Sequence, residues 1–245
     1  MIDVRPLSTH EEYTEAVNLQ KTIWGFEDLE LLPLRLFVVA TKVGGLSWGA
    51  FDGPRMIGFC IAIPGLKAGG QTYWHSHMMG VVPGRQNAGV GRALKLRQRE
   101  DAIARGIDLI EWTFDPLEIK NAYFNIERLG AVVRRYVLNQ YGTTTSHLHG
   151  GLPTDRCVAE WWISSERVTA LLAGSPFERP PIESRVEVPF EIEALRKRDL
   201  ARAREIQRKA SEQFVAHFNN GLMVVGLDRT ERAGAYLLAR DNESL

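Results

Sequence analysis

His75-Ser-His-Met-Met-Gly-Val-Val-Pro-Gly-Arg-Gln-Asn-Ala-Gly-Val-Gly-Arg-Ala-Leu94 is the stretch on which the fold turns. Its first half predicts a strand over 72–82, stopped by Pro83 after Val82. Its second half predicts a helix over 89–105, closed by Gly106. The loop between them carries Gln86, Asn87, Ala88, Gly89, Val90 and Gly91. A loop that opens a helix exposes backbone N–H groups the helix cannot satisfy. Those groups and the helix dipole favour an anion. Gly89 and Gly91 remove side chains where a phosphate would approach, and Arg92 adds positive charge beside it. Two phosphate motifs are excluded: no Lys-Ser or Lys-Thr follows as in a P-loop, and no third glycine completes a dinucleotide fingerprint.

Upstream, residues 2–7 read as a strand. Ser8-Thr9 precede Glu11-Glu12 at capping-box spacing. Tyr13, Ala16, Val17, Gln20, Ile23 and Trp24 follow at helical spacing up to Gly25. A second helix is expected over 31–41, then a hairpin of strands 46–51 and 56–63 around Asp52-Gly53. Downstream come a strand over 108–114, a helix over 119–129 with Gly130 beyond it, and strands over 131–138 and 156–163. This order predicts a mixed α/β sheet, mostly antiparallel and flanked by helices, not a doubly wound one. Trp161-Trp162 alternate faces on their strand, so one is expected in the core.

After residue 174, Pro-rich sequence reads as a stiff connection. A strand over 186–190, a long helix over 199–218 and a hairpin over 222–239 follow. The expected organisation is a domain over 1–165, a connection over 166–185 and a C-terminal extension over 186–245. The strand-helix-hairpin order of the extension echoes the start of the chain as a half-repeat. The basic residues from Arg196 to Arg208 are mixed with Asp199 and Glu205, which predicts a solvated helix face rather than a nucleic-acid stripe.

The chain has 245 residues, 44% hydrophobic and 24% charged, with 30 basic and 30 acidic side chains balancing to zero. That is ordinary globular composition without the basic excess of a nucleic-acid binder. Cys60 and Cys157 form no CxxC pair and read as reduced buried thiols. No apolar leader or membrane-length run stands in the sequence, so a soluble, cytoplasmic protein with no membrane partner is expected.

The pattern of an apolar strand, Val82-Pro83, Gln86-x-x-Gly89-x-Gly91 and a helix resembles the Q/R-x-x-G-x-G/A signature of the GNAT acetyltransferase family, over about residues 1–165. The resemblance implies acetyl-CoA as cosubstrate. The amides from Gln86 to Gly91 would hold its diphosphate, with Met79, Gly80, Val81 and Val82 beside the pantetheine arm. Asn121-Ala-Tyr-Phe-Asn-Ile-Glu-Arg-Leu-Gly130 looks like the family's next helix, so Asn121 and Phe124 join the cofactor set. The family's usual tyrosine there protonates the leaving thiolate. Ile126 stands in its place, and Tyr123 and Tyr136 are the neighbouring phenols.

An amine acceptor must lose a proton before it attacks a thioester, so a positioned base is useful. His75 and His77 lie two apart on one strand and share a face. Their spacing resembles the double-histidine strand of arylalkylamine N-acetyltransferases. Structural histidines in the core are the competing reading, and Glu111 is a rival base. His147 and His149 make a second H-x-H pair in a loop, but the spacing gives no zinc signature, and no metal is expected. The resemblance implies transfer of acetyl to a small-molecule amine in one direct step. Alternatives are an acyl-CoA sensor without catalysis, favoured by Ile126, and a transferase for a longer acyl-CoA. Strands in this class often pair across dimers, so a homodimer is a further expectation.

Overall fold

The computed structural model describes residues 2–142 and 151–241. His147 and His149 lie outside the described residues. The chain packs as two compact units, the first running to Ile110 and the second beginning at Glu111.

The first unit contains β1 (Ile2–Pro6), α1 (His10–Trp24), a 3₁₀ turn (Asp28–Glu30), α2 (Leu34–Lys42), β2 (Leu46–Asp52), β3 (Arg55–Leu66), β4 (Thr72–Val81) and α3 (Val90–Ala104). β1, β2, β3 and β4 pair antiparallel in that order. The capping box forms: Thr9 Oγ1 accepts from the Glu12 N–H at 3.2 Å, and the Glu12 carboxylate accepts from the Thr9 N–H at 3.4 Å. Gly25 ends α1 at φ 71°, a left-handed position that suits glycine. α2 starts three residues later than the sequence predicts, because Pro33 caps it in extended backbone.

Strand alternation assigns the helices to faces. On β2, Ser47 Oγ donates to the Phe37 carbonyl of α2 at 2.8 Å. The next residue, Trp48, turns the other way and lies 5.0 Å from the Arg97 guanidinium of α3. α1 and α2 therefore cover one face and α3 the other. Phe37, Phe59, Ile61, Ala16 and Leu7 fill the core under α1 and α2.

β5 (Leu109–Phe114) runs across the division into the second unit. There follow α4 (Ile119–Tyr123), a π-helical turn (Phe124–Arg128), β6 (Val132–Val137), β7 (Arg156–Trp162), α5 (Glu166–Ala173), β8 (Ser184–Pro189), α6 (Ile192–Arg198), α7 (Leu200–Asn219), β9 (Leu222–Arg229) and β10 (Ala233–Arg240). The strand order is β5-β7-β6-β9-β10-β8. β9 pairs with β6 through Val133 and Val224, so the C-terminal strands continue the sheet that β7 and β6 begin.

Several expectations are corrected. The segment 119–129 is not one α-helix: after Tyr123 the coil widens, and the Leu129 N–H reaches the Phe124 carbonyl at 3.1 Å. The half-repeat is one of order alone. β8 lies beside β10, the second strand of its hairpin, whereas β1 lies beside β2, the first of its own. The basic stretch 196–208 is not one solvated face. Arg196 sits on α6 and is buried, and Asp199 separates it from α7 by capping that helix through the Arg202 N–H at 3.0 Å.

Both cysteines are free and buried. Among the described residues no helix is long and apolar enough to cross a membrane. Trp161 is fully buried and donates from Nε1 to the Leu129 carbonyl at 2.7 Å, while Trp162 packs on Val132, Met223, Val225 and Ala239.

Candidate functional site

The loop between β4 and α3 is exposed from Pro83 to Gly89. Three left-handed residues shape it: Gly84 at φ 81°, Asn87 at 61° and Gly89 at 83°. Asn tolerates that region better than most residues, and Gly enters it without strain. The Arg85 N–H bonds the Val82 carbonyl at 3.1 Å, and the Ala93 N–H bonds the Gly89 carbonyl at 2.9 Å. Between them, the N–H groups from Gln86 to Gly91 make no hydrogen bond to another described residue. A Cβ built on Gly89 would meet nothing within 4 Å, and one on Gly91 would touch only Met79 and Val81 side chains, at 3.6 and 4.0 Å. The loop is thus an open cradle of donors at a helix N-terminus, the chemistry an anionic diphosphate needs. Exposed Arg92 lies in the first turn of α3, and the Gln86 side chain reaches back to the Val81 carbonyl at 3.3 Å.

On β4 the pairing with β3 is interrupted once. Ser76 faces Ala62 and Met78 faces Ile61, so His77 is an extra residue with no β3 partner, a β-bulge. Met79 and Val81 turn toward α3, whereas a Cβ on Gly80 would strike Trp24 at 2.6 Å and Ile23 at 2.8 Å on the α1 side. A side chain at position 80 would have to displace those two side chains. Val82 is buried and donates to the Ile57 carbonyl at 3.0 Å. The His75 and His77 rings lie side by side, their centroids 5.7 Å apart. Both are half-buried, and burial pushes the His77 imidazole below its usual value. On the α1 side Trp24 stacks on Phe26 at 5.7 Å.

Opposite the histidines, Ser76 turns toward α3 and meets Lys95 and Gln98. Sequence reading missed this cluster. Lys95 lies among Arg92, Arg97 and Arg99 in a stretch that looks solvated, and no local signal separates it from them.

The remaining candidates belong to the second unit. Glu111 is buried and its carboxylate takes a hydrogen bond from Arg135 at 2.5 Å. The Tyr136 hydroxyl bonds the Asp155 carboxylate at 3.2 Å and its ring stacks on Phe214. Burial, with Cys157 and Asp155 nearby, pushes that phenol well above its ordinary value. Tyr123 closes α4 with its ring under the Arg128 guanidinium at 5.7 Å. Asn121 is exposed and Phe124 half-buried at the start of the π turn. Ile126, in the place of the family tyrosine, is fully buried. Among the described residues no three His, Cys, Asp or Glu side chains gather as a metal site.

No sequence model of a known family and no curated protein sequence matches the chain. Solved structures do. Arabidopsis thaliana NAA60 in complex with acetyl-CoA aligns with TM-score 0.55 at 16% identity, over 67% of this chain and 100% of that one. The ribosomal-protein-S18-alanine N-acetyltransferase from Escherichia coli aligns with TM-score 0.53 at 18% identity, over 67% and 95%. A GNAT-family acetyltransferase from Streptococcus pneumoniae aligns with TM-score 0.50 at 13% identity, over 65% and 98%. The chain has the GNAT fold. At these identities the likeness fixes the GNAT architecture, and function rests on the site. About a third of the chain has no counterpart in those GNAT structures, which are matched almost end to end.

Proposed function

We propose that this protein moves an acetyl group from acetyl-CoA to the amine of a small molecule by direct transfer. The observation that carries the proposal is the open turn from Gln86 to Gly91, whose amide hydrogens have no partner within the described protein. In this reading Gln86, Asn87, Ala88, Gly89, Val90 and Gly91 hold the diphosphate and Arg92 adds charge. Met79, Gly80, Val81 and Val82 lie along the pantetheine arm, and Asn121 and Phe124 complete the contacts. The acetyl-CoA-binding part is 1–165, 166–185 connects, and 186–245 is an extension. Acetyl-CoA supplies the activated acyl group; the chain's own work is to bind, orient and move a proton.

His77 is the preferred base. Its ring is neutral near pH 7, because burial lowers its proton affinity, and it stands beside His75. Glu111 is held by Arg135 and Tyr136 by Asp155, which leaves neither as well suited to proton transfer. Tyr123, the phenol nearest in sequence to Ile126, is the preferred donor to the leaving thiolate. Trp24 and Phe26 give the α1 side an aromatic wall suited to an acceptor with an apolar body. A cytoplasmic location and a homodimer belong to the same reading.

A second reading, acyl-CoA binding without turnover, is favoured by buried Ile126 in the tyrosine's place. Acetyl-CoA turnover against small amines and free peptide N-termini separates the two. Peptides enter the panel because one similar structure acts on a ribosomal protein alanine. Calorimetry with CoA tests the site itself, and longer acyl-CoAs test chain length. Tight CoA binding with no turnover on any amine would favour the sensor.

A further inference from the structure

Lys95 is buried to 2% exposure, Gln98 to 1% and Ser76 to 5%. Lys95 Nζ donates to Ser76 Oγ at 2.9 Å and to Gln98 Oε1 at 3.1 Å. Gln98 Nε2 donates to the same Ser76 Oγ at 3.2 Å. The three side chains close a ring of hydrogen bonds between α3 and β4. Positions 95 and 98 are one helical turn apart, so both reach the same point of the strand.

We propose that Lys95, Gln98 and Ser76 form a positioning cluster that fixes the β4 bulge and so aims the His77 imidazole. Ser76 is the last residue of β4 paired before His77, and pairing resumes only at Met78. An extra residue in a strand needs something to hold it against slippage, and two donors on one hydroxyl supply that hold. The cluster rests on the reading of His77 as a base.

Packing alone does not call for a lysine here. A leucine or methionine would fill the space under β4 without burying an amine. Burial pushes the Lys95 amine down to about 7 from an ordinary 10.5. A polar group kept in the core at the expense of stability is a mark of a working site. Groups of β3, β4 and α3 face Lys95. From β3 comes the Cys60 thiol, which burial pushes up to about 12, so it is neutral. From β4 comes Ser76, and from α3 itself Gln98. On β2 the Trp48 ring carries the Arg97 guanidinium of α3. The charged groups of β1 are engaged elsewhere, Asp3 with Arg5 and Arg5 with Glu12.

The sign of the linkage follows. Between about 7 and 10.5 the unfolded chain holds the Lys95 proton and the folded one does not. Lys95 therefore adds stability as pH rises through that window and withdraws it as pH falls. Lys95→Met should remove this part of the slope and raise Tm at pH 7 relative to pH 10.

The deciding experiment uses the full chain with labelled histidines, His77→Gln giving the assignment. Ser76→Ala and Lys95→Met should keep CoA affinity and move the His77 titration midpoint by roughly 0.5 or more. The acid limb of kcat/KM should move with it, and Ser76→Thr, which keeps the hydroxyl, should restore both. An unchanged His77 titration in folded Ser76→Ala and Lys95→Met overturns the proposal. Failure of both variants to fold overturns it too, since the cluster would then be structural. The titration needs no CoA, so failure of the acetyl-CoA reading would show separately, as absent CoA binding in the unaltered chain.

Discussion

Gly89 carries two demands at once. Its φ of 83° lies where a Cβ is strained, yet a Cβ there would touch nothing. Gly89→Ala should therefore fold with a loss of about 1–2 kcal/mol, read by denaturant unfolding. Gly89→Glu should bear a similar folding cost and also abolish measurable CoA binding by calorimetry, because its carboxylate would stand at the proposed diphosphate site. Equal CoA affinity in both variants would refute the loop as the cofactor site. At His77 the prediction concerns protons. On its proposed role as base, His77→Gln should lower kcat/KM by about 10²–10⁴. In the native chain activity should fall as pH drops below the ordinary histidine value of 6.5, where the depressed imidazole at last takes its proton. In that same window the unfolded chain binds the proton first, so stability falls with pH as well.

At the level of elements, Arg196 of α6 is tied to the connection from β5 to α4. Its guanidinium donates to the Asp115 carboxylate at 2.7 Å and to Glu118 at 2.5 Å, both in the connection from β5 to α4. Tyr236 of β10 adds a bond from its hydroxyl to the Pro116 carbonyl at 2.6 Å. Arg196→Met would leave Asp115 buried without this cation, and a loss of roughly 3–5 kcal/mol is expected in denaturant unfolding. A loss below 1 kcal/mol would show that other groups suffice. The sequence could not reveal this. Arg196 sits in a run of basic residues whose pattern resembles a solvated face, and its partners are some 80 positions away. The turn between β4 and α3 was legible because its signal is local: a strand, glycines at fixed offsets and a helix start lie within twenty residues. The π turn was hidden for a related reason. Ile119, Ala122, Ile126 and Leu129 have the spacing of a buried α-helical stripe, and an inserted coil leaves that pattern intact. The bulge at His77 was equally silent, since the histidine alternation reads the same with or without it.

For the molecule as a whole, the C-terminal region is a continuation of a sheet rather than a separate appendage. β9 covers an edge of β6, and β10 and β8 extend the same sheet outward. A chain cut after residue 183 should bare that edge and the carboxylates of the β5–α4 connection. It is expected to aggregate during expression, and a soluble monomer with native circular dichroism would contradict this. The strand order also carries a message about synthesis. β8 leaves the ribosome long before its neighbour β10, with residues 190–232 between them. At about 5–20 residues per second it waits several seconds with both flanks unclaimed. During that wait the nascent polypeptide presents an unmatched ribbon to whatever is near, so a chain stalled near residue 220 should be open to protease and a client for a chaperone, while the finished one should be neither.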